Sequence, residues 1–321
     1  MTERKLVSII CPVFNEEKSL PVFYKRLKST LSPLASRYDF ELLFTNNRST
    51  DDTLEIISAL HQQDPMVQVL TLSRNFGYQA SVLAGLTHVH GEAMVVIDVD
   101  CEDPPEMIPE FIAGWEQGND IVYGIREKRL EFVGMQWMRK LYYRLLRLTA
   151  DSEIILDMAE FALVSAHVRD QMINNNSTFP FLRTEVGYAG FERTGIPYTR
   201  QARVGGRTYY NLLGMTLFGI GGFLSSSTFL LRLSAVLGAL VLPLNLAFLI
   251  WSFWRGMDQL LLSLIVLDLS YVVFFVGILS AYIARIYKNG LNRPVYIVDW
   301  KKSILQSGSN PGPAGHFRTP K

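Results

Sequence analysis

The chain has 321 residues, 49% of them hydrophobic, and its 31 basic side chains nearly balance 30 acidic ones. That length suits one large domain or two modest ones, and the absence of a long basic run argues against a nucleic-acid binder. Two cysteines, Cys11 and Cys101, exclude a disulfide framework and fit a reducing compartment.

Residues 1–5 run straight into a strand and lack the longer apolar core of a signal peptide. From there to about residue 123, strand and helix patterns alternate. Apolar runs at 6–11, 40–45, 67–72, 93–97 and 121–123 predict strands. Helical periodicity is expected at 18–31, 52–61, 78–89 and 105–115, with Ser49-Thr50-Asp51-Asp52 as a helix-start signal. Strands separated by helices of this length imply an α/β fold with a mostly parallel sheet.

The fourth run breaks off into acids: Asp98-Val99-Asp100-Cys101-Glu102-Asp103-Pro104-Pro105-Glu106. Alternate strand residues point the same way, so Asp98 and Asp100 can face one site. The carboxyl end of a buried strand is where open α/β sheets bind ligands. Hard carboxylate oxygens there suit Mg²⁺ or Mn²⁺ holding a diphosphate. The plainer alternative is a solvated acidic turn. Cys101 has no second thiol or histidine beside it and is read as a core or loop thiol.

From 135 to 148 the pattern turns amphipathic, with Lys140, Arg144 and Arg147 on one face and Leu141, Leu145 and Leu148 on a neighbouring one. Such a helix either is an ordinary solvated one or lies on a bilayer. After about residue 210 the composition becomes strongly apolar. A segment at 213–231, interrupted by glycines and serines, is expected at the membrane interface. Residues 233–253 are uncharged and long enough to span about 30 Å, and 260–284 form a second stretch broken only by Asp268. Arg232, Arg285, Lys288, Arg293, Lys301 and Lys302 flank this pair on one side. The positive-inside rule therefore places both termini in the cytoplasm, as expected for a two-span protein of the plasma or inner membrane. A buried helical hairpin of a soluble protein is the alternative. Asp268 inside a span is costly, and Asn245 or a second copy of the chain is its expected partner. A homo-oligomer follows from the latter. The expected division is therefore 1–212, an interfacial 213–231, a hairpin at 232–286 and a cytoplasmic tail at 287–321.

In order along the chain stand Pro12-Val13-Phe14-Asn15-Glu16-Glu17, then Asn46-Asn47-Arg48-Ser49-Thr50-Asp51, then Leu72-Ser73-Arg74-Asn75-Phe76-Gly77-Tyr78, the acidic motif, and Arg293-Pro294-Val295-Tyr296-Ile297-Val298. With these five and the two apolar stretches, the chain resembles the family-2 glycosyltransferases of the polyprenyl-phosphate type. Dolichyl-phosphate mannose synthase and the bactoprenol glucosyltransferases are of that type. The resemblance implies a GT-A, Rossmann-like nucleotide-diphospho-sugar transferase domain followed by two transmembrane helices. It implies transfer from a nucleotide-diphosphate sugar, a UDP-sugar, to a polyprenyl phosphate at the cytoplasmic membrane face, making a lipid-linked sugar for the cell envelope. It further implies a Mg²⁺ or Mn²⁺ cofactor held by Asp100 and Glu102. Pro12, Asn15, Glu16, Asn46, Asn47, Arg74, Asp98, Arg203 and Arg207 would bind the nucleotide sugar. Arg126, with Arg139 and Lys140, would meet the acceptor phosphate, and Asp98, Asp100, Asp157 and Glu160 would be catalytic. The acceptor is already anionic near neutral pH, so cations matter more than a strong base.

Three departures stand out. Asn46-Asn47-Arg48 replaces an Asp-Asp-Gly triplet, Glu102 replaces a glutamine, and Ala159-Glu160-Phe161-Ala162 replaces Gly-Asp-Phe-Arg. Two other readings compete: a catalytically weakened membrane scaffold of a glycan-assembly machine, which the departures favour, and a processive polysaccharide synthase. The second would need more spans and a Gln-x-x-Arg-Trp motif, whereas the chain reads Gln136-Trp137-Met138-Arg139-Lys140.

Overall fold

The computed structural model describes residues 4–126, 158–174, 190–204, 227–255, 258–291 and 293–305, with residues 144, 149, 151, 155 and 186–188 between them. Most of the amphipathic stretch at 135–148, Asp157, Arg207 and the tail beyond 305 lie outside the described residues. The chain divides into two compact units. One comprises Met1–Arg139, Ile154–Asn211 and Pro294–Lys321, and the other Lys140–Glu153 and Leu212–Arg293.

The first unit is a seven-stranded sheet, ordered β3-β2-β1-β4-β6-β5-β7. Its strands are β1 (Lys5–Val13), β2 (Tyr38–Asn46), β3 (Val67–Thr71), β4 (Ala93–Val96), β5 (Ile121–Arg126), β6 (Met158–Ser165) and β7 (Arg193–Tyr198). Strands β3, β2, β1 and β4 run parallel, as the alternation of elements requires. Strand β6 then turns the sheet mixed by pairing antiparallel with both β4 and β5. Five strands and four helices coincide, within a few residues, with those read from the sequence. The helices are α1 (Leu20–Leu31), α2 (Thr53–Gln63), α3 (Tyr78–His88) and α4 (Ile108–Glu116). Strands β6 and β7 and helix α5 (Ala166–Ile173) are additions of the structure.

The pleat explains the layers. Val7, Ile9 and Cys11 point to one face of β1 and pack with Phe23 and Leu27 of α1, Ile57 of α2 and Phe111 of α4. Ile10 points to the other face, where Val82 and Leu86 of α3 and Val168 of α5 cover it. Helix α3 lies so close that a Cβ on Gly85 would sit 2.3 Å from Ile10 Cγ2.

The outer edge of β3 is covered by residues that follow the second apolar helix. Val69 and Ile304 exchange backbone hydrogen bonds of 2.9 and 2.7 Å, Asp299 N donates to Thr71 O at 2.7 Å, and Ser73 N donates to Ile297 O at 2.8 Å. An edge strand left bare is a template for aggregation, and this strap removes it.

The second unit contains α6 (Phe229–Arg255) and α7 (Asp258–Gly290). Both helices are long and apolar enough to cross a membrane, and their apolar side chains are not buried within the protein. Phe253 and Trp254, for example, are 83% and 85% exposed. The helices pack against each other, and Asn245 Nδ2 donates to both Asp268 oxygens at 2.7 Å. One of the two partners expected for Asp268 is therefore in place. Interhelical hydrogen bonds of this kind contribute on average about 0.6 kcal/mol and at most about 1.7. Replacing Asn245 by Leu should lower the melting temperature of the detergent-solubilised hairpin while leaving the far-UV signature of the sheet unit unchanged. An unaltered hairpin melt would show that the contact contributes nothing.

Candidate active site

Strand β1 is the centre from which the order turns. Strands β2 and β3 lie on one side of it, β4 on the other, and a crevice opens beyond the carboxyl ends where the order reverses. A cavity of about 680 Å³ occupies that place. Pro12, Val13 and Glu16 reach it from the end of β1, Asn47 from the end of β2, and Asp98, Asp100 and Glu102 from the turn after β4. Asn75, Gly77, Tyr78 and Ser81 line it from the approach to α3, and Arg200 and Arg203 from the segment after β7.

The loops are fixed by their own polar side chains. Asn15 adopts a left-handed backbone, φ 57°, which asparagine tolerates better than most residues. Its Oδ1 accepts from Thr50 N at 2.8 Å, and its own N–H donates to Ser49 Oγ at 3.0 Å. Glu16 N then donates to Thr53 Oγ1 at 2.9 Å, which ties the end of β1 to the start of α2. Asn46 is buried, and its Oδ1 accepts from Ser49 N at 2.9 Å. Asn47 points its amide toward α3, accepting from Phe76 N at 2.9 Å and donating to Asn75 Oδ1 at 3.1 Å.

The acidic turn is charge-crowded. Burial, reinforced by Asp103 and Asp100, pushes the Asp98 carboxyl up to about 8. Burial also raises Glu102, with Asp100 as the next cause, and raises Glu16. The Tyr78 hydroxyl is buried beside Asp98 and Glu160 and makes no well-aligned hydrogen bond. Its proximity to the acids holds its proton firmly, and burial holds it more firmly still. Glu160 stands on β6, and its charge reaches the Tyr78 hydroxyl together with that of Asp98. Glu160, named from the sequence as a catalytic candidate, thus comes from a strand that had not been predicted.

Two arginines answer this negative charge. Gln201 N donates to Glu102 O at 2.9 Å and Val204 N to Asp100 O at 3.2 Å, so the segment at 200–204 lies along the acidic turn. Arg200 pairs with Glu102, and Arg203 pairs with Glu16 at 2.5 Å. Arg203 Nε stands 3.8 Å from Asp100 Oδ2, buried and without a hydrogen bond.

Arg126 is placed differently from the others. Its Nε donates to Tyr198 Oη at 3.0 Å, its Nη2 donates to Asp103 Oδ2 at 3.0 Å, and Tyr198 Oη donates to Asp103 Oδ1. Burial disfavours the guanidinium charge, and Asp103 with Tyr198 more than offsets it, so Arg126 titrates above its ordinary range. Gly124 makes the triangle possible, since a Cβ there would lie 2.6 Å from the Tyr198 ring. Asp103 and Tyr198 were not singled out from the sequence. The signal for Asp103 was its place in the acidic motif, and Tyr198 offered none.

Of the predicted site residues, Pro12, Glu16, Asn47, Asp98, Asp100, Glu102 and Arg203 line one cavity. Asn15 and Asn46 shape its loops from behind. Arg74 stacks its guanidinium on Phe76, 3.9 Å from the ring centroid, and is not among the lining residues. Arg139, Lys140, Asp157 and Arg207 lie outside the described residues.

Residues 8–172 match the sequence family Glycosyl transferase family 2. The chain belongs to that family. It is therefore a glycosyltransferase of the GT-A fold, and its mixed α/β sheet with the cavity at the strand-order reversal is the architecture of that family. It is 35% identical over 303 residues to an uncharacterized glycosyltransferase, YkcC, of Bacillus subtilis (strain 168), covering 91% of this chain and 92% of the relative. It is 33% identical over 317 residues to the SfII prophage-derived bactoprenol glucosyl transferase of Shigella flexneri, covering 92% and 98%. A prophage bactoprenol glucosyl transferase homolog of Escherichia coli (strain K12) is 32% identical over 306 residues, covering 91% and 98%. Two of these relatives are named as bactoprenol glucosyl transferases, in keeping with the polyprenyl-phosphate type read from the sequence.

Proposed function

We propose that this glycosyltransferase moves a sugar from a nucleotide diphosphate, a UDP-sugar, onto a polyprenyl phosphate at the cytoplasmic face of a membrane that α6 and α7 span. The observation that carries the reading is the convergence of Asp98, Asp100, Glu102 and Arg203 on one cavity, in a chain with two bilayer-length apolar helices. The bactoprenol named in the relatives is a lipid carrier, and it supports a lipid acceptor here.

The donor set fits a hard divalent cation. Asp100 and Glu102 offer oxygens alone, and among the described residues no group of three acidic, histidine or cysteine side chains is placed to hold a metal ion by itself. Mg²⁺ and Mn²⁺ suit such a place, because one or two carboxylates plus the oxygens of a diphosphate complete their coordination. When bound, the ion neutralises charge on the departing nucleoside diphosphate. Arg203 neutralises Asp100 and Glu16 in the free protein and carries spare N–H donors for the diphosphate. Asn47 and Asn75, neutral amides, suit the nucleoside. For the acceptor phosphate the proposed cations are Arg126, Arg139 and Lys140. Arg126 spends Nε and Nη2 on Tyr198 and Asp103, and among the described residues Nη1 has no hydrogen-bond partner, which leaves it for an anion.

The lipid phosphate oxygen forms a bond to the anomeric carbon as the bond from that carbon to the diphosphate oxygen breaks. One displacement inverts the centre. With purified protein, a panel of nucleotide sugars, a polyprenyl phosphate and Mg²⁺ or Mn²⁺, an α-linked donor should yield a β-linked lipid-phosphate sugar, and a chelator should stop the reaction. A retained α-linkage would rule out direct attack, and transfer to no isoprenoid carrier would rule out the acceptor.

A further inference from the structure

We infer that Asp299, on the strap that follows the second apolar helix, positions the donor-binding Asn47 through Arg48. The inference rests on the transferase reading of the cavity and adds a residue to it. Arg48 stands between Asn46 and Ser49 with a left-handed backbone, φ 65°, an uncommon conformation for a bulky side chain. Its guanidinium is held by Asp299, Nη1 to Oδ2 at 3.1 Å, across 251 residues of chain. Asp299 is itself fixed, its N–H bonded to Thr71 O at 2.7 Å and its carbonyl accepting from Ser303 Oγ at 2.9 Å.

The same strap braces the second donor loop. Ile297 O accepts from Ser73 N two residues before Asn75, and Leu72 N donates to Asn46 O at 2.9 Å. The two loops meet at the Asn47–Asn75 amide pair, where Asn75 Oδ1 also accepts from Gly77 N at 2.8 Å. Tyr296 and Trp300 lie 6.0 and 5.9 Å from the His88 ring at the end of α3. Both loops that present amides to the cavity are thus fastened from behind by residues 296–304. Arg48 and Asp299 do not line the cavity themselves. Asp299 is therefore a positioning residue. Its loss frees Arg48 and lets the strained turn relax, which moves Asn47 relative to Asn75. The carboxylates and arginines of the acidic turn are untouched, so the effect falls on donor binding.

The test uses the full-length protein in detergent. Asp299→Ala should raise the donor KM about tenfold with kcat within about twofold and acceptor KM unchanged, the pattern of lost ground-state binding. Hydrogen exchange at the Ser49 and Phe76 amides, which Asn46 and Asn47 cap, should quicken about tenfold, while amides of α1 stay as they were. The charge-swapped pair Arg48→Asp with Asp299→Arg should restore both readouts, since aspartate tolerates the left-handed backbone. Unchanged donor KM and unchanged exchange in Asp299→Ala would overturn the inference and leave the transferase reading standing. A wild-type protein that binds no nucleoside diphosphate would overturn the reading of the cavity, and this inference with it.

Discussion

Replacing Asp100 by alanine is expected to lower sugar transfer at least about a thousandfold while leaving the protein folded. Asp100 is the residue on which both cationic systems of the cavity converge. In the free protein Arg203 approaches it, and in the loaded protein the proposed divalent ion does. Stabilisation of a leaving diphosphate by such an ion is worth several kcal/mol, and each 1.36 kcal/mol is about tenfold in rate. Stability should hardly suffer. Asp100 accepts one backbone hydrogen bond, from Glu102 N at 3.0 Å, and sits among carboxylates that repel it. Removing one of those charges relieves Asp98 and Glu102. Turnover at a fixed donor excess, read with a thermal melt of the same sample, checks both halves. Normal turnover in the variant would dismiss Asp100 as the ion's anchor, and a collapsed melt would reassign it to folding.

Asp103→Ala should behave in the opposite way and unfold the sheet unit before it alters chemistry. Its carboxylate is 2% exposed and is the charge partner of a guanidinium that is itself only 13% exposed. Removing one partner of a buried pair leaves an uncompensated charge and costs about 3–5 kcal/mol. For a unit of this size each kcal/mol shifts the melting temperature by about 2–4 °C. The Tyr198 hydroxyl would lose its acceptor in the same step. Removing both charges, as in Asp103→Leu with Arg126→Met, should recover much of the loss, because apolar residues can replace a buried pair at little net penalty. A melt of Asp103→Ala within 2–3 °C of wild type would mean that water reaches Arg126 and that the pair is not truly buried.

The parallel half of the fold was legible because its strands are continuous apolar runs bounded by helix signals. The acidic motif was legible from its place behind an apolar run, but β4 ends at Val96 and Asp100 lies in the turn that follows, so the turn and not the pleat brings both carboxylates to the cavity. Where the reading stopped, the cause is also visible. Strand β6 begins beside polar residues and carries Glu160 inward, so its run does not stand out from a loop. Glu41 is buried in a strand that was read as an apolar run. It is made tolerable by Ser8 Oγ at 2.5 Å, His90 N at 2.6 Å and Gln68 Nε2 at 3.3 Å, donors from β1, from the connection after α3 and from β3. Asn46 was read as a ligand contact because its motif faces a nucleotide in related chains, yet its amide is used to close its own loop. A motif indicates which residues gather near a site. Which of them turn inward and which turn back to hold the backbone depends on partners far away in sequence. Arg126 shows the same limit, since only the folded chain brings Asp103 and Tyr198 to it.

The cover on β3 is encoded after both apolar helices. During synthesis, residues 296–304 leave the ribosome only when the segments that make α6 and α7 have already emerged. A nascent chain therefore carries an unfinished sheet margin, with Thr71 and Ser73 amides unclaimed and Arg48 without its counter-ion, until both apolar segments have been made. The edge of the sheet is thereby closed only after both apolar helices have been made, and a chain truncated within either of them leaves Thr71, Ser73 and Arg48 without these partners.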